Sequence, residues 1–228
     1  NYDFLGNSLS YGISSEKNDK PNQGYENSVI GASIRTKFEQ YKNVDVSLGL
    51  SASLDDLTTD DSASDSLKKN AGSFNELAAN YGFTFDKRDR VFMPTSGTIT
   101  SFNQSIPIYA DKNFISNSFN MSSYKSFNEN VIGSSKLFIS AVNGLGEDNV
   151  RLSKRRGLSS KRLRGFERGK IGPVDGTDHI GGNYAAALNF ETSLPKLLPE
   201  NTNTDVGLFL DFGNVWGVDY DSTVGDSN

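Results

Sequence analysis

A two-residue alternation of apolar with small or polar side chains runs through most of the chain. It constrains the fold more than any other feature. It is clearest where Val44, Val46 and Leu48 alternate with Asp45 and Ser47. The same period recurs over residues 30–38, 80–86, 131–141, 184–191 and 206–213. Because successive side chains of a β-strand point to opposite faces of a sheet, this period predicts strands with one apolar face.

The composition of the polar face distinguishes two classes of β protein. A soluble sandwich carries Lys, Glu and Thr on its wet face, whereas this face holds mostly Gly, Ser, Ala, Asn and Asp. Small residues suit the crowded or water-filled interior of a barrel. No stretch approaches the ~18 consecutive apolar residues of a transmembrane helix. Membrane-spanning β-strands, however, need only ~9–11 residues, of which every second one can be polar.

The pattern therefore predicts an all-β fold, a partial transmembrane antiparallel β-barrel of about nine strands. We place the strands at residues 1–13, 25–38, 44–55, 74–87, 97–108, 115–127, 131–142, 183–194 and 205–216. The predicted connections are short at 39–43, 88–96, 128–130 and 195–204, long at 14–24, 56–73 and 143–182, and short again at 109–114. Transmembrane barrels show this asymmetry between tight periplasmic turns and long extracellular loops. With an odd strand number and polar ends, we expect residues 1–228 to be a fragment of one outer-membrane barrel domain.

Composition argues against several classes of function. The net charge of -5, from 23 basic and 28 acidic residues, is not that of a nucleic-acid-binding protein. The chain has no Cys, so it has neither disulfides nor thiolate metal sites. The single histidine, His179, lacks the G-x-S-x-G motif that a Ser-His-Asp hydrolase of the α/β type would place with it. We expect no enzymatic activity, no metal and no cofactor.

The long loop at 143–182 is strongly basic. Between Arg151 and Lys170 there are nine Lys or Arg residues and a single acid, Glu167. The simplest interpretation is a solvated surface loop, which at the outer face could also meet anionic lipid headgroups. Nucleic-acid binding is a weaker alternative, because no interleaved aromatic residues accompany the charge.

Two carboxylates lie on the polar face of the last two predicted strands. Glu191 and Asp211 should point into the barrel and lie near each other, because a short turn joins their strands. Two neighbouring acids repel unless a cation joins them. An arginine from the preceding loop could bond both, since its planar guanidinium presents several donors. A pair of glycosidase carboxylates is a weaker alternative, because nothing supplies a sugar cleft.

Four stretches within residues 86–216 carry motifs that resemble one family. They are Asp86-Lys87-Arg88-Asp89 with Phe92-Met93-Pro94-Thr95-Ser96-Gly97, Leu163-Arg164-Gly165-Phe166 with Ile171-Gly172-Pro173, Gly181-Gly182-Asn183 leading into Leu188 to Glu191, and Phe209-Leu210-Asp211-Phe212-Gly213-Asn214-Val215-Trp216. In order and spacing they resemble the barrel of the outer-membrane protein assembly factor family (BamA and its relatives). The first stretch is similar to that family's periplasmic turn, and the second stretch resembles the tip of its sixth extracellular loop.

The resemblance implies a location, a function and a site. The family lies in the bacterial outer membrane and inserts β-barrel proteins there without ATP, through a weakly paired seam at which a substrate strand can add. Implied partners are unfolded outer-membrane proteins, assembly-machine lipoproteins, outer-membrane lipid and lipopolysaccharide. In the implied site the loop tip folds into the barrel and Arg164 contacts Glu191 and Asp211 as a structural latch.

The chain also departs from the family pattern. Leu163 stands where the family usually has Val, and the basic residues at 151–162 follow no family pattern. By the family plan of about sixteen strands, we expect the POTRA domains and several terminal strands to be absent, so that this piece does not insert proteins alone. The resemblance also leaves open a TamA-like protein or a two-partner secretion transporter, and thus a translocation pore. A soluble β-sandwich binding module is the remaining alternative.

Overall fold

A single antiparallel sheet of ten strands dominates the computed structural model, which describes residues 2–4, 7–20, 23–128, 131–194 and 206–219. The strands of the chain are β1 (Tyr2–Phe4), β2 (Asn7–Lys20), β3 (Tyr25–Tyr41), β4 (Val44–Thr59), β5 (Gly72–Asp86), β6 (Ser96–Ala110), β7 (Phe114–Asn128), β8 (Val131–Gly144), β9 (Val174–Asp175), β10 (Asp178–His179), β11 (Tyr184–Leu194) and β12 (Val206–Trp216). The sheet order is β1 to β8 and then β11 and β12, while β9 and β10 form a separate small hairpin. A four-residue helix, α1 (Asp65–Lys68), and a 3₁₀ turn (Leu152–Lys154) lie in connections. The all-β, antiparallel prediction is confirmed.

Two parts of the predicted strand plan were wrong. The predicted strand 1–13 is two strands, and β2 runs on to Lys20 through most of the predicted loop 14–24. This segment is polar, but Glu16 pairs with Val29 and Lys20 with Tyr25, so the ladder to β3 holds it extended. The predicted loop 56–73 is also shorter, because β4 continues to Thr59 and β5 begins at Gly72. The predicted connection 195–204 lies outside the described residues.

The alternating pattern maps onto two distinct faces of the sheet. Ile34 pairs with Leu50, and Leu50 pairs with Ala79, so the apolar positions of β3, β4 and β5 share one face. That face is exposed, with Leu50 47% accessible. Strands β2 to β8 have 14 to 17 residues, more than the ~9–11 that cross a bilayer. A long, exposed apolar wall of this kind is what a membrane barrel presents to lipid.

The connections divide between the two ends of the sheet. The β3–β4 and β5–β6 turns lie at one end, and the longer connections β4–β5 and β8–β11 lie at the other. None of the helices in the described part of the chain is long and apolar enough to cross a membrane.

The buried core lies between the long β8–β11 connection, residues 145–183, and the polar face of the sheet. One cluster comprises Tyr25, Leu57, Ala63, Leu67, Leu152 and Ile180, and a second comprises Leu158, Leu163, Ala185, Ala187 and Val215. The small strand residues leave room for the larger loop residues. A Cβ on Gly213, for example, would lie 2.7 Å from Leu158 Cδ1. The connection is therefore packed against the sheet rather than extended into solvent.

Candidate functional site

The centre of the site is Arg164, near the middle of the long connection. Its Nε donates to Asp211 Oδ2 at 2.7 Å and its Nη2 donates to Asp211 Oδ1 at 2.6 Å, a bidentate pair. The Arg164 backbone N–H also donates to Asp211 Oδ2, at 3.1 Å. Nη1 of the same side chain lies 2.8 Å from Glu191 Oε1. One guanidinium thus joins both carboxylates.

Strand register places the two acids. Asn189 of β11 pairs with Asp211 of β12, and Glu191 pairs with Phe209, so all four positions lie on the polar face. The guanidinium carbon of Arg164 lies 3.8 Å above the centre of the Phe209 ring, within the range of a cation–π contact. The acids are therefore held by the ladder, and the loop supplies the cation.

Two further strand residues complete the charge arrangement, and sequence reasoning missed both. Asn189 Nδ2 donates to Asp211 Oδ1 at 2.8 Å and to the Arg162 carbonyl at 2.7 Å. Lys136 Nζ of β8 makes an ion pair with Glu191. The group contains two carboxylates and two cations, so its formal charge is balanced. Lys136 shares the polar face of β8, and this alternation was the sequence signal that could have identified it.

The electrostatics of Arg164 suit a fixed ion pair rather than a proton carrier. The Asp211 side chain is only 4% accessible, whereas that of Arg164 is 28% accessible. Hydrogen bonding to Asp211 raises the pKa of the Arg164 guanidinium still further. A guanidinium with a raised pKa remains charged at any physiological pH. The arrangement can hold the loop in place.

The other predicted residues of the loop tip behave differently from one another. Leu163 is buried in the cluster with Leu158, Ala185 and Val215. Gly165 has φ of +85°, a left-handed conformation that favours glycine. Phe166 is 55% exposed and does not take part in the ion-pair group. The tip therefore contributes one apolar anchor, one turn residue and one exposed ring.

The predicted glycine motif lies where the loop rejoins the sheet. Gly182 and Arg156 exchange two backbone hydrogen bonds, at 3.0 and 2.7 Å. Asn183 is buried and its N–H donates to the Gly217 carbonyl at 2.7 Å. Gly181 precedes this pair and is itself buried. These residues fasten the returning end of the loop beside β12.

The predicted turn residues Pro94 and Gly97 lie at the opposite end of the sheet, away from Arg164. The Asp89 carboxylate organises this turn by accepting hydrogen bonds from Thr95 N at 3.0 Å, Ser96 N at 3.1 Å and Thr95 Oγ1 at 2.6 Å. These bonds, chiefly that from the Thr95 hydroxyl, lower the pKa of Asp89 to about 2. Gly97 has φ of +97°, and a Cβ there would meet the Lys87 carbonyl. The motif is a turn and not part of the interior site.

The interpretation of the basic loop at 143–182 as a solvated surface was wrong for most of the nine cations between Arg151 and Lys170. Arg151 and Lys154 pair with Glu76, Arg155 pairs with Asp219, Arg156 donates to Ser116, and Arg162 donates to Asn120. Only Lys161, Arg168 and Lys170 of the nine basic residues are exposed. The carboxylates, the Asn120 amide and the Ser116 hydroxyl that bind the others lie on the sheet or just after β12, and strand alternation alone could not assign these groups to particular cations.

His179 lies in the β9–β10 hairpin of the long loop, where it pairs with Val174. Within the part of the chain that the structure describes, no group of three His, Cys, Asp or Glu residues could hold a metal ion. The histidine is thus a loop residue.

Three features together define an outer-membrane β-barrel protein. They are the exposed apolar face suited to lipid, the antiparallel ladder, and the long loop that an arginine binds to the polar face. The chain belongs to a known family: a family model described as the Omp85 superfamily domain matches residues 2–228. The chain therefore lies in the outer membrane, with the ten-stranded sheet forming part of the barrel wall.

Individual relatives agree with this assignment. The chain is 27% identical over 208 residues to the outer membrane protein assembly factor BamA of Neorickettsia risticii, covering 89% of this chain and 28% of that protein. It is 31% identical over 145 residues to a SAM50-like protein of Schizosaccharomyces pombe, covering 60% of this chain and 30% of that protein. The fold matches a crystal structure of Haemophilus ducreyi BamA lacking POTRA domains 1–3, with a TM-score of 0.80 at 22% identity, over 93% of this chain and 47% of that one. The chain thus spans less than a third of the length of either curated relative.

Proposed function

We propose that this chain forms part of the barrel of an outer-membrane β-barrel assembly factor. Such a factor folds other barrel proteins and inserts them into the membrane. The observation that carries the proposal is the Omp85 superfamily match over residues 2–228. A relative named as an outer membrane protein assembly factor aligns over 89% of the chain and supports it. Residues 1–228 would belong to one barrel domain.

The proposed mechanism uses hydrogen bonding rather than bond-making chemistry. A strand at a barrel seam has backbone N–H and C=O groups that can pair with an incoming strand. An unfolded outer-membrane protein would add there strand by strand, so no nucleotide and no catalytic residue is needed. In this proposal Arg164 is a latch that keeps the long loop against Glu191 and Asp211, which gives the interior a fixed shape while the seam opens.

The proposed partners follow from this mechanism. Unfolded outer-membrane proteins are the substrates, lipoproteins of the assembly machine bind the periplasmic side, and lipid with lipopolysaccharide surrounds the barrel. The exposed apolar face, with residues such as Ile34, Leu48 and Leu50, supports the lipid contact. Nucleic acid is not a partner in this proposal.

Depletion of the full-length protein tests the function. An assembly factor should be required by many barrel proteins, so its depletion should lower the outer-membrane levels of unrelated barrels together. Quantitative proteomics of outer-membrane fractions measures this. Loss of one exported cargo, with other barrels unchanged, would instead identify a secretion transporter, and a TamA-like role would affect a small subset. The upstream sequence gives a second discriminator, because several POTRA repeats favour the assembly factor and two favour the transporter.

A further inference from the structure

A second arginine of the long loop, Arg151, is more deeply buried than Arg164. It is 2% accessible. Its Nη2 lies 2.7 Å from Glu76 Oε2 on β5, and its Nη1 lies 3.6 Å from Asp55 Oδ2 on β4. Removing a guanidinium from water is unfavourable unless partners compensate. Glu76 accepts a hydrogen bond from Nη2 and Asp55 forms a longer ion pair with Nη1, so the carboxylates offset part of this cost, while Nε and Nη1 have no hydrogen-bond partner among the described residues.

Aromatic rings complete the surroundings of Arg151. Its guanidinium carbon lies 5.1 Å from the centre of the Phe74 ring and 5.4 Å from that of Phe114. Both distances are within the ~6 Å at which a cation and an aromatic face attract each other. Arginine suits this place better than lysine, because its planar guanidinium can stack on rings and bond carboxylates at the same time.

The two carboxylates that pair with Arg151 are themselves held by neighbouring side chains. Asn27 Nδ2 of β3 donates to Asp55 Oδ1 at 2.9 Å, and the Ser153 hydroxyl donates to Asp55 as well. Lys154 Nζ lies 2.7 Å from Glu76 Oε2. The 3₁₀ turn at Leu152–Lys154 is thus bound to β4 and β5 at once, and β3 supports the contact through Asn27.

The two arginines bind different parts of the sheet. Arg151 contacts β4, β5 and β7, whereas Arg164 contacts β11 and β12. Between them, Arg162 lies over the Phe138 ring of β8 at 3.4 Å. The loop therefore crosses the polar face from the middle strands of the sheet to the strand at its edge.

We propose that Arg151 is a positioning residue, a second anchor that sets the path of the loop so that Arg164 reaches Glu191 and Asp211. With one end fixed at β4–β5 and the tip fixed at β11–β12, the loop acts as a brace between strands that are not neighbours. The brace positions the loop whether or not the chain belongs to an assembly factor.

Hydrogen exchange on the full-length protein in detergent micelles tests the anchor. Arg151→Met keeps an apolar stem but removes the charge. In this variant the amides of residues 150–158 should exchange at least about tenfold faster, and so should those of residues 159–172, which contain the tip. Arg151→Lys keeps the charge and should restore part of the protection. The control is Lys161→Met, which removes an exposed charge from the same loop and should leave both segments unchanged.

Two outcomes would overturn the proposal. One is tip exchange in Arg151→Met that equals that of Lys161→Met, which would make Arg151 a local contact without influence on Arg164. The other concerns the double variant. If the changes in tip exchange caused by Arg151→Met and Arg164→Ala simply add there, the two anchors are not coupled, because coupled sites give non-additive effects. If Arg151→Met fails to fold, Glu76→Gln weakens the same anchor more gently and must produce the same faster exchange at the tip.

Discussion

At the scale of single residues, the site depends on which charges are buried and which partners they have. Asp211 is almost inaccessible, yet it accepts bonds from Arg164 and from Asn189. Glu191 has two cations, Arg164 and Lys136, and therefore keeps one if the other is lost. Removal of Arg164 should accordingly affect Asp211 more than Glu191.

We expect Arg164→Ala to lower the free energy of unfolding by about 3 kcal/mol, the lower end of the range for breaking a buried pair. The lower end applies because the Arg164 side chain is 28% accessible. Denaturant unfolding of the full-length protein in micelles measures the change, and protease digestion reports release of the loop. The matched control is Arg168→Ala, an exposed arginine four positions along. Equal stability of the two variants would show that Arg164 is not a latch.

At the scale of elements, Gly182, where the loop rejoins the sheet, determines how closely the end of β12 approaches the start of β11. A Cβ on Gly182 would lie 2.8 Å from the Trp216 carbonyl carbon and closer still to its oxygen. The neighbouring Asn183 N–H donates to the Gly217 carbonyl, so the backbone there has little freedom to move. The β11 start and the β12 end are thus joined by close packing.

Gly182→Ala should destabilise the protein by about 1–3 kcal/mol, the usual effect of overpacking. The strain should separate the end of β12 from the loop, so the Asn183 amide should lose hydrogen-exchange protection. Gly157→Ala is the control, because a Cβ there would meet nothing within 4 Å. Similar stability for both alanine variants would contradict the close approach at Trp216.

The turn between β5 and β6 is a second element with a testable property. The pKa of Asp89 is about 2 in the folded turn, against about 3.9 for an unperturbed aspartate. Because the folded pKa is the lower one, the carboxylate stabilises the turn fully above about pH 4, and this contribution disappears as the pH falls through 2.

The Thr95 and Ser96 amide resonances, followed by NMR in micelles, should therefore titrate with a midpoint near 2. Asp89→Asn should abolish this titration while the protein stays folded. A midpoint near the ordinary aspartate value of about 4 in the original protein would mean that the hydrogen bonds to Asp89 do not form.

At the scale of the whole molecule, one sheet carries two environments. The face with Ile34 and Leu50 is exposed and apolar, and the face with Asp55 and Asp211 holds the buried charges of the loop. This is the reverse of a soluble sandwich, in which apolar faces meet inside. The Omp85 assignment accounts for the inversion, because lipid covers the apolar face.

Leu50 lies near the middle of β4 on the apolar face, so Leu50→Lys should lower stability by about 2–4 kcal/mol in a bilayer. Ser33→Lys is the control, because Ser33 is an exposed residue on the polar face of β3. Unfolding in lipid vesicles compares the two. Greater damage from the Ser33 substitution would mean that the lipid face has been assigned wrongly.

The sequence by itself determined most strands of the large sheet and their two faces, and it placed Glu191 and Asp211 on the polar face, because a period of two is local and can be read within one segment. The tertiary structure decided the rest. The polar segment up to Lys20 is a strand only because it pairs with β3. Arg151, Arg155 and Arg156 resemble any surface cations in sequence, and their partners lie between 40 and 75 residues away. Such partners are set by how the loop folds back over the sheet, and no local pattern of residues contains that information.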